Sequence, residues 1–127
     1  MREEIELWWE QARHDRDTAQ VLLDSDRLDA ATFYVQQAVE KALKAVYIAL
    51  RQERHAATHS LTALGREVGV PPKYRGFLRR LTPEYFLSRY PDASGDVPFR
   101  LYEREEVAES VALAGEVLEW AEQQLTR

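Results

Sequence analysis

The sequence contains no cysteine, which excludes disulfides, thiol catalysis and thiolate metal sites. Asparagine is also missing and methionine occurs once, while glutamate is abundant and arginine far outnumbers lysine. That scarcity of thermolabile side chains fits a thermophile. No apolar run approaches the roughly 18 residues needed to span a bilayer. The start, Met1-Arg2-Glu3-Glu4, is acidic and lacks the apolar core of a secretion signal. The cytoplasm is therefore the expected compartment, with no membrane association. The three histidines include no i, i+4 pair on a helical stretch, so no metal site is expected. There is no glycine-rich phosphate loop and no Gly-x-Ser-x-Gly elbow, and no cofactor is expected.

What is present is helical periodicity. With 127 residues there is room for a single domain, residues 1–127. Ile5, Trp8, Trp9, Ala12, Ala19, Leu22 and Leu23 recur at spacings of three and four, predicting an amphipathic helix over about 3–24, with Asp15 and Arg16 interrupting the stripe. A second helix is predicted over about 29–51. Its apolar arc, which includes Ala31, Val35, Ala38, Val39, Ala42, Leu43 and Val46, covers more than half the circumference, so it packs against more than one neighbour. Its polar strip holds Gln36, Gln37, Glu40, Lys41 and Lys44. Thr58-His59-Ser60 offers N-cap chemistry to a short helix that Gly65 and Gly69 weaken or end. Further short segments follow Pro71-Pro72 and Thr82-Pro83, and Tyr90 to Asp96 reads as loop. Val107, Val111, Ala114, Leu118, Ala121 and Leu125 give the last helix, about 102–125, a bundle-packing repeat. The expected fold is all-α: an antiparallel up-and-down bundle of three long helices, with one or two short ones before the last.

Charge is distributed unevenly. Between residues 51 and 104 ten basic side chains outnumber six acidic ones, giving +4, while the rest of the chain carries −9. A basic middle on an acidic frame can attract a phosphate-bearing partner, although a solvated surface would look the same. Two constellations within it could carry chemistry. Arg54 and His59 are spaced Arg-x4-His: the imidazole could act as acid and base near neutral pH, and the guanidinium could hold a phosphate. The plain alternative is a loop arginine beside a histidine that caps the next helix. The second is Arg79, Arg80, Arg89 and Tyr90 with Lys73 and Arg75, where forked guanidinia could bind phosphate and tyrosines could stack on a base. Alternatively, Arg89 pairs with a glutamate and Tyr90 anchors a loop. On the second helix Lys41 and Lys44 could line a groove, or Glu40 could pair with Lys44 at i, i+4 on a solvated face. Trp8, Trp9 and Trp120 read as core or interface anchors.

These residues also carry a family resemblance. Trp9 and Ala12, the run Ala30-Ala31-Thr32-Phe33-Tyr34-Val35-Gln36-Gln37-Ala38-Val39-Glu40-Lys41-Ala42-Leu43-Lys44-Ala45, then Thr58-His59-Ser60-Leu61 and Leu64, Tyr85, and Arg89-Tyr90-Pro91-Asp92 resemble a prokaryotic HEPN-domain protein over nearly the whole chain. The Gln-Gln-Ala-x-Glu-Lys-Ala-Leu-Lys run is the most specific part. The resemblance implies a helical bundle that commonly forms homodimers. It also implies an association with nucleotides, and a separate nucleotidyltransferase polypeptide as partner in a toxin–antitoxin-like module. Other branches of the family are metal-independent ribonucleases marked by Arg-x4–6-His, a pattern that Arg54 and His59 satisfy. The leading expectation is thus a nucleotide-binding or interaction module that is not an enzyme by itself. Its contacts are Arg54, His59, Arg89 and Tyr90, with Lys41 and Lys44 as further candidates. The first alternative is an endoribonuclease in which Arg54 holds the scissile phosphate and His59 is the acid and base. The second is a purely structural dimerisation domain.

Overall fold

The computed structural model describes residues 2–53 and 58–126. Three long helices, α1 (Arg2–Asp24), α2 (Leu28–Arg51) and α7 (Arg104–Leu125), frame four short ones: α3 (Leu61–Val68), α4 (Arg75–Leu81), α5 (Glu84–Leu87) and α6 (Pro91–Ser94). Single 3-10 turns at Pro72–Tyr74 and Pro98–Arg100 complete the connections. Among the described residues there is no strand, so the all-α expectation holds. The short helices are more numerous than the sequence suggested. Within the segment expected as loop, Pro91 opens α6 at a position that needs no backbone N–H, and Gly95 closes it at φ 79°.

The turn between α1 and α2 sets them antiparallel, with Asp26 in the left-handed region at φ 58°. Arg104 at the start of α7 clasps this turn, its Nη1 donating to the Leu23 carbonyl at 2.6 Å and to Asp26 at 2.7 Å. At the other end of α7, Leu118, Glu119 and Glu122 face Trp9 across a groove, so α7 runs antiparallel to α1 and parallel to α2. The short helices make that topology feasible. The start of α3 lies beside the middle of α2 through His59 and Glu40, and its end lies by the α2 terminus through Arg51 and Glu67. The chain then climbs back through α4, where the Leu61 amide donates to the Thr82 hydroxyl at 3.1 Å.

The α2 helix is central, as its broad apolar arc requires. Val35, Ala38, Val39, Ala42, Leu43, Ala45, Val46 and Ile48 are all fully buried. They belong to, or adjoin, a core that includes Ala12 and Ala19 of α1, Leu61 and Leu64 of α3, Phe77 and Leu78 of α4, and Val111, Ala114 and Val117 of α7. Trp9 and Trp120 pack on its margin. Gln52 caps α2 twice, adopting the left-handed conformation at φ 55° and donating its side-chain amide to the Ala49 carbonyl at 2.8 Å.

As the sequence indicated, Ser60 caps α3 by accepting from the Ala63 amide at 3.2 Å, and Gly69 ends the helix at φ 72°. Gly65 plays a different part from the one its helix-weakening character suggests. It lies buried inside α3 where a β-carbon would collide with the Leu78 side chain of α4. It is the contact that lets α3 and α4 approach. A β-carbon there forces the buried Leu78 side chain to shift, so Gly65→Ala should destabilise the fold by about 1–3 kcal/mol, despite alanine's better helix propensity. Denaturant unfolding checks this, and an alanine variant as stable as the parent would refute the close approach.

Candidate functional site

The polar strip of α2 does not face solvent. Gln36, Glu40 and Lys44 follow one another at i, i+4 spacing, and all three are buried between α1 and the segment leading into α3. The expected Glu40–Lys44 pair forms, with Nζ donating to Oε2 at 2.9 Å, but inside the molecule. Gln36 donates to Glu40 Oε1 at 2.9 Å and accepts in turn from Gln37 at 2.7 Å. Lys41 extends the network to α1, donating to Asp15 at 2.6 Å while Gln11 donates to the other oxygen of that carboxylate at 2.9 Å. Asp15 therefore interrupts the apolar stripe of α1 because it faces Lys41 in the interior. The Trp8 ring lies 5.3 Å from the Lys44 ammonium, a cation–π contact that adds to the enclosure of the charge.

The sequence offers Lys41 and Lys44 as candidate phosphate contacts; in the fold each ammonium is engaged by an internal carboxylate, and the Glu40–Lys44 pairing given as the alternative is present. Through these pairs both lysines help to position other groups.

The group they position is His59. Its Nδ1 meets Glu40 Oε1 at 2.9 Å, and about half of its side chain is exposed. With Nδ1 engaged by a carboxylate, Nε2 is the ring nitrogen left over, and it hydrogen-bonds to no described residue. Burial by itself would raise the Glu40 carboxyl, but hydrogen bonds from Lys44, Gln36 and His59, with the nearby ammonium charge, outweigh it and hold the group below its ordinary value. Glu40 is thus a buried, ionised acceptor for three donors.

The other face of the site comes from α5. Tyr85 stacks on the His59 ring, with centroids 3.8 Å apart and planes inclined by 17°. The Arg89 guanidinium lies 4.5 Å from the centres of the Tyr85 and Phe33 rings and 4.9 Å from that of Tyr90. Its Nε donates to the Tyr85 carbonyl at 2.9 Å, and it forms no ion pair with a described residue. The plain alternative of an Arg89–glutamate pair is therefore not what the fold contains. Tyr102 fastens α5 from outside, its hydroxyl donating to Glu84 at 2.5 Å. Burial raises the Glu84 carboxyl above its ordinary value, partly offset by that hydrogen bond. The Tyr102 hydroxyl is pushed well up by burial and by the same carboxylate.

Of the residues the sequence proposed, His59, Arg89 and Tyr90 come together on Tyr85 and Phe33. Arg54 lies outside the described residues. The sequence reading missed Glu40 as the acceptor that orients His59, and missed Phe33 as part of the guanidinium's aromatic surround. Glu40's position in the Gln36–Glu40–Lys44 ladder was the available signal.

A small helical bundle with a buried polar seam on its second helix and a histidine drawn onto that seam defines the class. The HEPN domain model matches residues 5–124, and the chain belongs to the HEPN domain family. Its fold is similar to that of TT1696 from Thermus thermophilus, with 34% identity, a TM-score of 0.84, and coverage of 94% of this chain and 97% of that one. It is also similar to ST0689, an archaeal HEPN homologue, with 28% identity, a TM-score of 0.75, and coverage of 94% and 96% respectively. None of the curated proteins matches the chain.

The seam has a measurable signature. Glu40→Gln leaves Lys44 as a buried ammonium without its counter-charge, so at pH 7 it should cost about 3–5 kcal/mol. A carboxyl held below its unfolded value contributes stability above that value, about 4.5, and loses it as pH falls through the folded one. The gap between parent and Glu40→Gln should therefore narrow below about pH 4.5. Thermal melts from pH 7 to pH 3 test this, and a gap that stays constant would show that the charge of Glu40 is not its source.

Proposed function

We propose that this protein is a nucleotide-binding HEPN module acting as a homodimer in the cytoplasm with a separate minimal nucleotidyltransferase, in a toxin–antitoxin-like pair. The single observation that carries the binding reading is the joint placement of His59 and Arg89 on Tyr85. The imidazole offers its Nε2 nitrogen. The guanidinium is surrounded by aromatic rings yet has no carboxylate partner among the described residues, leaving N–H groups for a phosphate. Beside them Phe86 and Tyr90 are 54% and 44% exposed, enough to stack a base. The homodimer reading draws on the family and on the exposed Leu7 and Val21 of α1, which fall on roughly one helical face and suit a symmetric contact. Among the described residues no helix is long and apolar enough to cross a membrane.

Isothermal titration with ATP, GTP and a short RNA tests the reading. At least one should bind, and both His59→Ala and Arg89→Ala should weaken that binding at least ten-fold, the scale of a lost charge-assisted hydrogen bond of about 1.5–3 kcal/mol. No heat from any of the three would remove the reading.

A second reading, metal-independent endoribonuclease, is favoured by one specific contact. A carboxylate on Nδ1 fixes the His59 ring and leaves Nε2 over, the arrangement a general acid and base needs. Nε2 would take the proton of a 2′-hydroxyl as its oxygen attacks the adjacent phosphorus; the P–O5′ bond breaks, the departing 5′-oxygen takes a proton from water, and a 2′,3′-cyclic phosphate remains, with Arg54 or Arg89 stabilising the charge that develops. RNA incubated with the protein in chelator should then be cleaved, and His59→Ala should abolish cleavage. Intact RNA with the parent protein would eliminate the enzymatic reading and leave the binding one standing.

A further inference from the structure

Away from the His59–Arg89 stack, α3 and α4 enclose a cavity of about 390 Å³ lined by Thr62, Arg66, Val70, Arg75, Leu78 and Arg79. Three of these six residues are arginines and none is acidic, in a chain with 22 acidic residues to 17 basic ones. None of the three forms an ion pair with a described residue. The nearest acid in sequence, Glu67, pairs with Arg51 on α2 at 2.5 Å. The groove between α1 and α7, about 420 Å³, provides the contrast: there Arg13 and Arg16 are balanced by Asp17, Glu116, Glu119 and Glu122.

The arrangement is unfavourable for the protein alone. Arg75 and Arg79 are like charges at i, i+4, which repel. Arg75 also occupies the first turn of α4, the helix end where positive charge is disfavoured. Solvation alone would let these side chains diverge or pair elsewhere. Instead they ring a concavity whose floor, Val70 and Leu78, is buried and is held in place by the close α3–α4 approach at Gly65. The volume falls within the range of small-molecule pockets. Guanidinium forks match phosphate oxygens in pairs, and three of them match the charge of a diphosphate or triphosphate better than that of a single carboxylate.

We propose that the α3–α4 cavity is a second anion site, distinct from the His59–Arg89 stack, that takes the diphosphate or triphosphate group of a small ligand. The phosphates would sit among Arg66, Arg75 and Arg79, with the Thr62 hydroxyl as an additional donor. Inorganic pyrophosphate and a nucleoside diphosphate share this chemistry, and the apolar floor gives an organic ligand further contact.

Titration of the whole protein with sodium pyrophosphate and with ADP, at low salt, tests the assignment. Pyrophosphate should bind and raise the melting temperature. Arg66→Gln and Arg79→Gln should each weaken its binding at least ten-fold, while Arg13→Gln, in the acid-balanced groove between α1 and α7, leaves it unchanged. Tighter binding of ADP through the same arginines would identify the organic ligand, and equal binding the inorganic one. Without ligand, Arg79→Gln should melt no lower than the parent, because it relieves repulsion. The proposal is overturned if pyrophosphate does not bind, or if its binding is lost in Arg89→Ala and kept in the cavity variants. Either failure leaves the His59–Arg89 reading to its own titrations.

Discussion

The structure depends on one buried carboxylate. Glu40 lies on the central helix, where an ion taken out of water costs several kcal/mol unless its lone pairs are met, and three donors at 2.9 Å each meet them. Two of those donors, Gln36 and Lys44, are one turn away on the same helix and follow from α2 folding at all. The third, His59, comes from a different part of the chain and fixes where the segment entering α3 must lie. The same carboxylate thus neutralises a buried lysine, ties the short-helix layer to the bundle, and orients the exposed imidazole of the candidate site. Removing it would disturb all three together, so a loss of binding in a Glu40 variant would not by itself mark Glu40 as a ligand contact.

A buried ion network is weak evidence for net stability, since a well-packed apolar replacement is often as stable. Its value here lies in register. Apolar surface is non-directional, and the alanine-rich face of α2 would accept small rotations and slides of α1 with little change in buried area. The Asp15–Lys41 contact across α1 and α2 and the Glu40–His59 contact across α2 and the α3 entry each have one satisfactory geometry. Together they select one docking among many that burial alone would permit.

The long helices were legible because their periods of three and four extend over many turns. The wide apolar arc of α2 correctly placed it at the centre, and Ser60 and Gly69 correctly bounded α3. The polar strip of α2 was the least legible feature. Glu and Lys at i, i+4 form the same pair on a solvated face as in an interior, so sequence spacing identifies the partners but not the solvent. What decides the matter is the surface laid over them, including Trp8 from α1 and His59 from beyond α2, and neither is local to the motif. Gly65 presents the same difficulty: a glycine that weakens a helix and one that permits close packing look alike until Leu78 is placed opposite. For the candidate site, His59, Arg89 and Tyr90 could be named from residue type and motif, whereas Phe33, Tyr85 as the shared platform, and Glu40 as orienter required the fold.

The two arginine-bearing regions differ in how their charge is held, and this bears on what each can do. Arg89 is exposed but braced by Phe33, Tyr85 and Tyr90, and its Nε is committed to a backbone carbonyl. Its guanidinium is therefore partly preorganised, and less freedom is lost when a ligand arrives. The arginines of the α3–α4 cavity are exposed as well and have no such aromatic bracing among the described residues, so each must be immobilised on binding. A preorganised single guanidinium beside an oriented imidazole suits discrimination of one phosphate and its neighbouring base. A ring of exposed guanidinia suits capture of a multiply charged anion, where charge matters more than geometry and affinity falls steeply with salt. The difference between the two arginine-bearing surfaces therefore follows from which side chains brace the arginines.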